Sequence, residues 1–364
     1  MNGHLDAATE LLLAALVRPR DLPTLDALRW DELLCRARNT RLLGRLGVEV
    51  ERLDLLDRIP RKAADQIRAE LALAAENARM VRFEVNRILR ALRDVAVPVI
   101  LLKGAAYVLA DLPPAEGRLS SDVDIMVPKE SLGEVEAALL RGGYEAVKLD
   151  PYDQRYYRRW MHELPPLCHR ERETVVDVHH TILPETGRLR PDRRALGEAA
   201  RPLGDRLRIL APADLVLHSA AHLFQDGDLD GGLRDLVDLD LLLRHFGREP
   251  EFWEGLVPRA VALTLTRPLY YALRYCQGLL CCPVPASVQE AVRAGEPVPP
   301  VRSLMDALTC RAVTPDGWDQ PSRRTRRARF LLYVRSHWLR MPPWLLARHL
   351  ARKAIARVFP AHAR

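Results

Sequence analysis

The stretch Ser120-Ser121-Asp122-Val123-Asp124-Ile125-Met126-Val127 sets two carboxylates one residue apart inside an apolar run. On a strand, alternate side chains share a face, so Asp122 and Asp124 point one way while Val123, Ile125 and Val127 point the other. Two carboxylates on one face of a buried strand repel each other and lose hydration. A divalent cation between them relieves both costs. Mg²⁺ is held in this way, by one or two carboxylates together with substrate phosphates. The shared face also predicts that loss of either acid leaves the metal-free fold as stable or more stable, because repulsion is removed. A third acid lies 53 residues beyond Asp124, in the β-branched run Val175-Val176-Asp177-Val178-His179-His180. Beside the first strand, Asp177 completes a three-carboxylate set suited to two-metal chemistry, in which Mg²⁺ or Mn²⁺ activates a hydroxyl and steadies a leaving phosphate.

Other residues fit the same chemistry. Leu101-Leu102-Lys103-Gly104 ends an apolar run with a cation and a free backbone N–H where a helix begins, an arrangement that favours phosphate. Only five of the 55 basic residues are Lys, so Lys103 stands out in an Arg-rich chain. Arg118, four residues before Asp122, is a candidate bidentate phosphate clamp, and Ser121 joins the nucleotide-binding set. His179 shares the face of Asp177 by parity and is placed to orient a phosphate or accept a proton. His218 and His222 are one helical turn apart, as zinc ligands can be, but no Glu lies between them in an HExxH pattern, and helix packing is the competing reading. Arg234, Asp235, Asp238 and Asp240 lie on one helix. Arg234 and Asp238 have the spacing of an intrahelical ion pair, or the helix closes over a nucleotide pocket.

The elements around these residues fall into three textures. Ala7–Leu16, Leu25–Leu43 and Ala63–Leu92 carry apolar residues at helical spacing, with Pro19, Pro23 and Pro60 between them. Strands are expected at 97–102, 123–127, 144–149, 163–169 and 174–181, with helices at 105–110 and 131–140. From Pro212 the helical period returns over 212–224, 229–246, 253–277 and 288–293, with a loop at 295–301 and helices at 331–339 and 343–358. The fold class is therefore α+β: a small mixed β-sheet core flanked by helical regions. The expected boundaries are 1–95 for an N-terminal helical region, 96–185 for the core, 186–320 for a C-terminal helical domain and 321–364 for a basic helical tail.

A chain of 364 residues with 48% apolar and 28% charged residues has the composition of a globular protein and excludes disordered and collagen-like classes. No apolar run is long enough to span a bilayer, and residues 1–10 lack the pattern of an export signal. The six cysteines show no CxxC pair, so reduced thiols and a cytoplasmic location are expected. Charge is uneven. Residues 321–364 hold eleven Arg, one Lys and no acid, a charge of +12, while the remaining chain sums to −5. Phe330, Tyr333, Trp338, Trp344 and Phe359 are interleaved with those cations, which suits an anionic membrane surface, and hence peripheral membrane association, or RNA.

Leu-Lys-Gly at 102–104, Arg-Leu-Ser-Ser-Asp-Val-Asp-Ile-Met-Val at 118–127, Gly-Gly-Tyr at 142–144 and Val-Asp-Val-His at 176–179 resemble the uncharacterised nucleotidyltransferase family of the polymerase-beta-like superfamily. The resemblance runs from about residue 7 to 245 and takes in Pro212-Ala213-Asp214-Leu215 and Arg234-Asp235-Leu236-Val237-Asp238. It implies a minimal nucleotidyltransferase sheet with Asp122 and Asp124 as metal ligands and Asp177 as third carboxylate. The expected reaction is transfer of a nucleoside monophosphate from an NTP to a hydroxyl acceptor, which is a small molecule, a protein or an RNA. Two alternatives stay open: a nucleotide-binding regulatory module tethered to membrane or RNA by the basic tail, and a toxin-type enzyme that modifies tRNA.

Overall fold

The computed structural model describes residues 5–147, 154, 157–158, 160–225, 229–314, 320–344 and 346. Its centre is a mixed sheet. The strands are β1 (Val99–Leu101), β2 (Asp122–Met126), β3 (Tyr144–Ala146), β4 (Leu167–His169), β5 (Val175–His179), β6 (Arg201–Pro202) and β7 (Leu207–Ile209). Their spatial order is β3-β4-β5-β2-β1-β7-β6. β2 runs antiparallel to β1 and parallel to β5, so the two acidic strands are neighbours at the middle of the sheet. Val123, Ile125, Val176 and Val178 are fully buried, and they anchor the apolar face of both strands. The pair β6 and β7 extends the sheet beyond β1 and was not expected, because strands of two and three residues carry no readable alternation.

The helices before and within the core are α1 (Ala7–Val17), α2 (Ala27–Asn39), α3 (Leu43–Arg52), α4 (Arg61–Ala91), α5 (Lys103–Leu109) and α6 (Leu132–Arg141). Those after it are α7 (Arg193–Ala199), α8 (Pro212–Gln225), α9 (Gly232–Phe246), α10 (Pro250–Ala262), α11 (Thr266–Leu280), α12 (Ala286–Ala291), α13 (Pro299–Val313) and α14 (Arg323–Arg340). Asp6 and Asp26 cap α1 and α2 by accepting from Thr9 and Arg29 backbone N–H groups.

Two expected helices are each split. The run 25–43 breaks after Asn39, where Arg41 takes a left-handed φ of 58°, and 253–277 breaks at Thr264 with φ 59°. Neither left-handed residue is itself a Gly, and the nearest signals, Gly44 and Pro268, lie three and four residues beyond. The expected loop at 295–301 is half helix, since Pro299 opens α13 at a position whose N–H has no helical partner anyway. The tail helix starts at Arg323 rather than 331, and most of the helix expected at 343–358 lies outside the described residues. No helix among the described residues is long and apolar enough to cross a membrane.

Helix α4 packs against α5, α6 and β2, and α9 packs against the short turn Pro113–Ala115 that leads toward β2. Two ion pairs, each with a buried carboxylate and a partly exposed arginine, tie helices to their surroundings. Asp214, fully buried on α8, receives Arg259 of α10 through two 2.7 Å bonds. Glu84, buried on α4, receives Arg172 at 2.8 and 3.0 Å and the Tyr144 hydroxyl, which joins the long helix to the β3–β4 edge of the sheet. Glu84→Ala leaves a guanidinium and a phenol without their acceptor. It should lower the unfolding free energy by roughly 3 kcal/mol in urea titrations, and a change within error of zero would show that the network carries no stability.

Candidate active site

Register decides the site. In the parallel β2–β5 pair, Asp124 stands opposite Asp177, Asp122 opposite Val175 and Met126 opposite His179. Asp122, Asp124 and Asp177 therefore share one face of two adjacent strands. Asp124 is almost fully buried. Its Oδ1 lies 2.9 Å from His179 Nε2 and 3.6 Å from Lys103 Nζ. On its other side, His179 presents Nδ1 to Glu163 Oε2 at 3.3 Å.

The three carboxylates feel this environment differently. Burial alone would push Asp124 up, but the Lys103 ammonium and the His179 hydrogen bond hold it well below the usual carboxylate range. Asp122 is raised by burial and by the Asp124 charge. Asp177 is pushed up to about 7 by burial, with Asp124 and Glu163 adding repulsion. Asp177 Oδ1 is buried with no hydrogen-bond partner among the described residues. An orphaned carboxylate oxygen is the donor type that a hard divalent cation takes. The three acids do not already form a set whose ligand atoms all lie within 4.8 Å of one another, so one cation shared by all three needs side-chain movement.

A cavity of about 140 Å³ opens beside Asp122 and Asp124 and is lined by Lys103, Gly104, Arg118 and Ser121 on the sheet side. Across it stand Ser219 and His222 of α8 and Arg234, Asp235 and Asp238 of α9. Lys103 carries a left-handed φ of 42°, a strained conformation for a residue with a Cβ. Gly104 follows in close contact with the serine loop: a Cβ there would stand 2.5 Å from Ser120 Oγ, so the hydroxyl would have to turn away. The Ser120 main chain is itself held from the long helix α4. Asn77 Nδ2 donates to Ser120 O at 2.9 Å, and Ser120 N donates to Asn77 Oδ1 at 2.8 Å. Strand end, glycine turn and serine loop thus form one clamped unit.

The structure brings together Lys103, Gly104, Arg118, Ser121, Asp122 and Asp124 around the cavity, with Asp177 and His179 on the adjoining strand. Arg118 is bonded to Asp238 Oδ2 at 2.6 Å, and its buried Nε has no hydrogen-bond partner among the described residues. The expected Arg234–Asp238 pair is replaced: Arg234 takes Asp235 at 2.8 Å and Asp240 takes Arg244, which frees Asp238 to reach across to Arg118. This is how α9 closes over the cavity. His218 is buried and held well below its ordinary value by burial and by the nearby Lys103, and no third ligand joins His218 and His222 among the described residues. Asn77, Ser219 and Glu163 were not anticipated, nor was Tyr107, which lines the cavity and whose hydroxyl lies 2.7 Å from Ser219 Oγ. Asn77 sits among polar residues of a long amphipathic helix, where no spacing sets it apart.

The electrostatics overturn one expectation, that removing Asp124 relieves repulsion at no cost. Asp124 is the partner of Lys103 and His179, so Asp124→Asn should destabilise the metal-free protein at neutral pH by roughly 1–3 kcal/mol. Asp177 has the opposite sign. Its folded value near 7 exceeds that of an unfolded chain. The folded state keeps a proton that the unfolded state has lost, so stability falls as pH rises from about 4 to about 7. Asp177→Asn should therefore stabilise the chelator-treated protein at pH 8, on the order of 2–4 kcal/mol, and the gain should vanish toward pH 4. Urea denaturation at both pH values reads this, and equal destabilisation by the two variants would contradict it.

A family model described as uncharacterised nucleotidyltransferase matches residues 26–280, from the start of α2 to the end of α11, and so takes in the whole sheet and the cavity. No curated protein and no solved structure matches the chain. With a match over well more than half its length, the chain belongs to the uncharacterised nucleotidyltransferase family and is a nucleotidyltransferase.

Proposed function

We propose that the protein transfers a nucleoside monophosphate from an NTP to a hydroxyl acceptor in a reaction that needs Mg²⁺ or Mn²⁺. The observation that carries this reading is the facing register of Asp124 and Asp177, with Asp122 on the same face and the Lys103 ammonium 3.6 Å from Asp124 Oδ1 beside the cavity. Asp122 and Asp124 would hold the cation, with Asp177 completing the oxygen set. When bound, the divalent ion neutralises phosphate charge and makes the acceptor hydroxyl easier to deprotonate. Lys103 and the Gly104 N–H hold the phosphates, and Arg118 and Ser121 border the same space. The Asp177 carboxylate oxygen that is not on the cation accepts the proton of the acceptor hydroxyl. The acceptor oxygen then bonds to the α-phosphorus while the bond to pyrophosphate breaks. His179 holds Asp124 in orientation from behind.

The test is release of pyrophosphate and label transfer from α-labelled NTPs to pooled small-molecule, protein and RNA acceptors, with and without Mg²⁺. Asp122→Asn and Asp124→Asn should each lower turnover by about a hundredfold or more, since the charge stabilisation lost is several kcal/mol. Gly104→Ala should weaken nucleotide binding by displacing the Ser120 hydroxyl. Turnover that survives chelation, or that both Asn variants retain, would refute the reading. Nucleotide binding without any turnover would favour the regulatory module.

The basic tail supports a peripheral role at an anionic lipid surface. Thr325, Ala328, Leu332 and Ser336 bury one face of α14, which packs on α13, while Phe330, Leu331, Val334 and Trp338 stay exposed along another. Apolar side chains flanked by arginines match a lipid headgroup boundary better than a nucleic-acid backbone. A cytoplasmic enzyme touching the inner face of a membrane is the matching location. Full-length protein should sediment with phosphatidylserine vesicles at low salt, and the Phe330→Ser/Trp338→Ser pair should lose most of that binding. Binding to single-stranded RNA that is unchanged by the pair, without vesicle binding, would assign the tail to RNA instead.

A further inference from the structure

We infer that His162, Glu163 and His179 form a second cation site, selective for a divalent metal that takes imidazole ligands, such as Zn²⁺, and separate from the carboxylate set of Asp122, Asp124 and Asp177. One ligand atom from each of the three residues lies within 4.8 Å of the others. His179 Nδ1 and Glu163 Oε2 are 3.3 Å apart, His162 Nε2 and Glu163 Oε2 4.0 Å apart, and the two imidazole rings are 5.2 Å apart between centroids. Ligands around a tetrahedral Zn²⁺ with bonds of about 2.1 Å stand roughly 3.4 Å from one another. Glu163 and His179 already have that spacing, and His162 needs a side-chain adjustment of about 1 Å.

The backbone fixes the three positions. Glu163 bridges antiparallel to His179, Leu164 N donates to Val178 O at 2.8 Å, and His180 N donates to His162 O at 2.9 Å. The position of His179 leaves one ring nitrogen for a ligand. Nε2 lies 2.9 Å from Asp124 Oδ1, so Nδ1 is the atom that faces Glu163 Oε2 at 3.3 Å, with space between them for a cation or a proton. That Nδ1 is buried and has no hydrogen bond of proper geometry among the described residues. Two nitrogen donors with one oxygen suit Zn²⁺ or Co²⁺, whereas Mg²⁺ takes oxygen donors. With metal on Nδ1 and Asp124 on Nε2, His179 has the carboxylate–histidine–metal order that fixes ring orientation in known metal centres. The bound ion would thereby lock Asp124 in place. Three protein ligands leave one position for water.

The site does not depend on the proposed transfer reaction, and the test keeps them apart. Tag-free full-length protein, stripped with a chelator, is titrated with Zn²⁺ against a chromophoric chelator in excess Mg²⁺, and with Co²⁺ while its visible absorption is followed. One Zn²⁺ per chain that Mg²⁺ does not displace, with an intensified visible Co²⁺ band, is expected. His162→Ala and Glu163→Gln should each weaken Zn²⁺ binding by about tenfold or more, and His162→Ala should keep the melting-temperature rise produced by Mg²⁺ with ATP. Loss of that rise in wild type, with Zn²⁺ binding intact, would count against the transfer reading and leave this site standing. Equal Zn²⁺ binding by wild type and both variants would overturn the site by placing the metal elsewhere. No Zn²⁺ binding by wild type, or complete displacement by Mg²⁺, would overturn it as well and leave a proton between His179 and Glu163.

Discussion

Three carboxylates on one face of two adjacent strands are the constraint around which the molecule is arranged. The parallel register of β2 and β5 brings Asp124 beside Asp177 with Asp122 one pleat away, inside a sheet whose other face is packed with valine and isoleucine. Crowded like charges in a poorly solvated place are unfavourable, and the fold offsets only part of the cost. Lys103 and His179 both serve Asp124, so the compensation is uneven: one acid is held ionised, and Asp177 is left short of partners. The deficit at Asp177 is one that a proton or a cation can fill, and its carboxyl is pushed up to about 7 accordingly.

The rest of the core reads as support for that deficit. Lys103 reaches Asp124 from the end of β1 in a strained backbone conformation, and Gly104 lets the Ser120 loop press against the turn. Asn77 fixes that loop from α4, while Glu84, two helical turns further along, fixes the same helix to the far edge of the sheet through Arg172. On the opposite side, α9 is drawn over the cavity by the Arg118–Asp238 pair. Burial pushes Asp238 up to about 6 despite the guanidinium beside it. Desolvation of two buried charges offsets much of their attraction, so such a pair is weak evidence for stability.

Much of the centre was legible from residue order. A DxD inside an apolar run and an acid inside a β-branched run are local patterns, and strand parity correctly grouped Asp122 with Asp124 and Asp177 with His179. The same reasoning placed Lys103 at a strand end and the Arg234–Asp240 segment on one helix. It failed where the information is not local. Nothing near Asp238 in sequence tells that its partner is Arg118, 120 residues away, rather than Arg234. Asn77 and Glu163 look like ordinary polar residues until the tertiary fold aims them at Ser120 and His179. Helix breaks at Arg41 and Thr264 also went unseen, since both are left-handed turns made without glycine.

The proposed reaction needs a divalent cation held by Asp122 and Asp124. The most direct measurement is anomalous scattering from a crystal grown with Mn²⁺ and a non-hydrolysable NTP. An anomalous peak about 2.2 Å from carboxylate oxygens of both residues, with nucleotide phosphate on the Lys103 side, is the predicted result. Nucleotide seated in the cavity with no manganese at those carboxylates, or manganese bound only elsewhere on the chain, would contradict it.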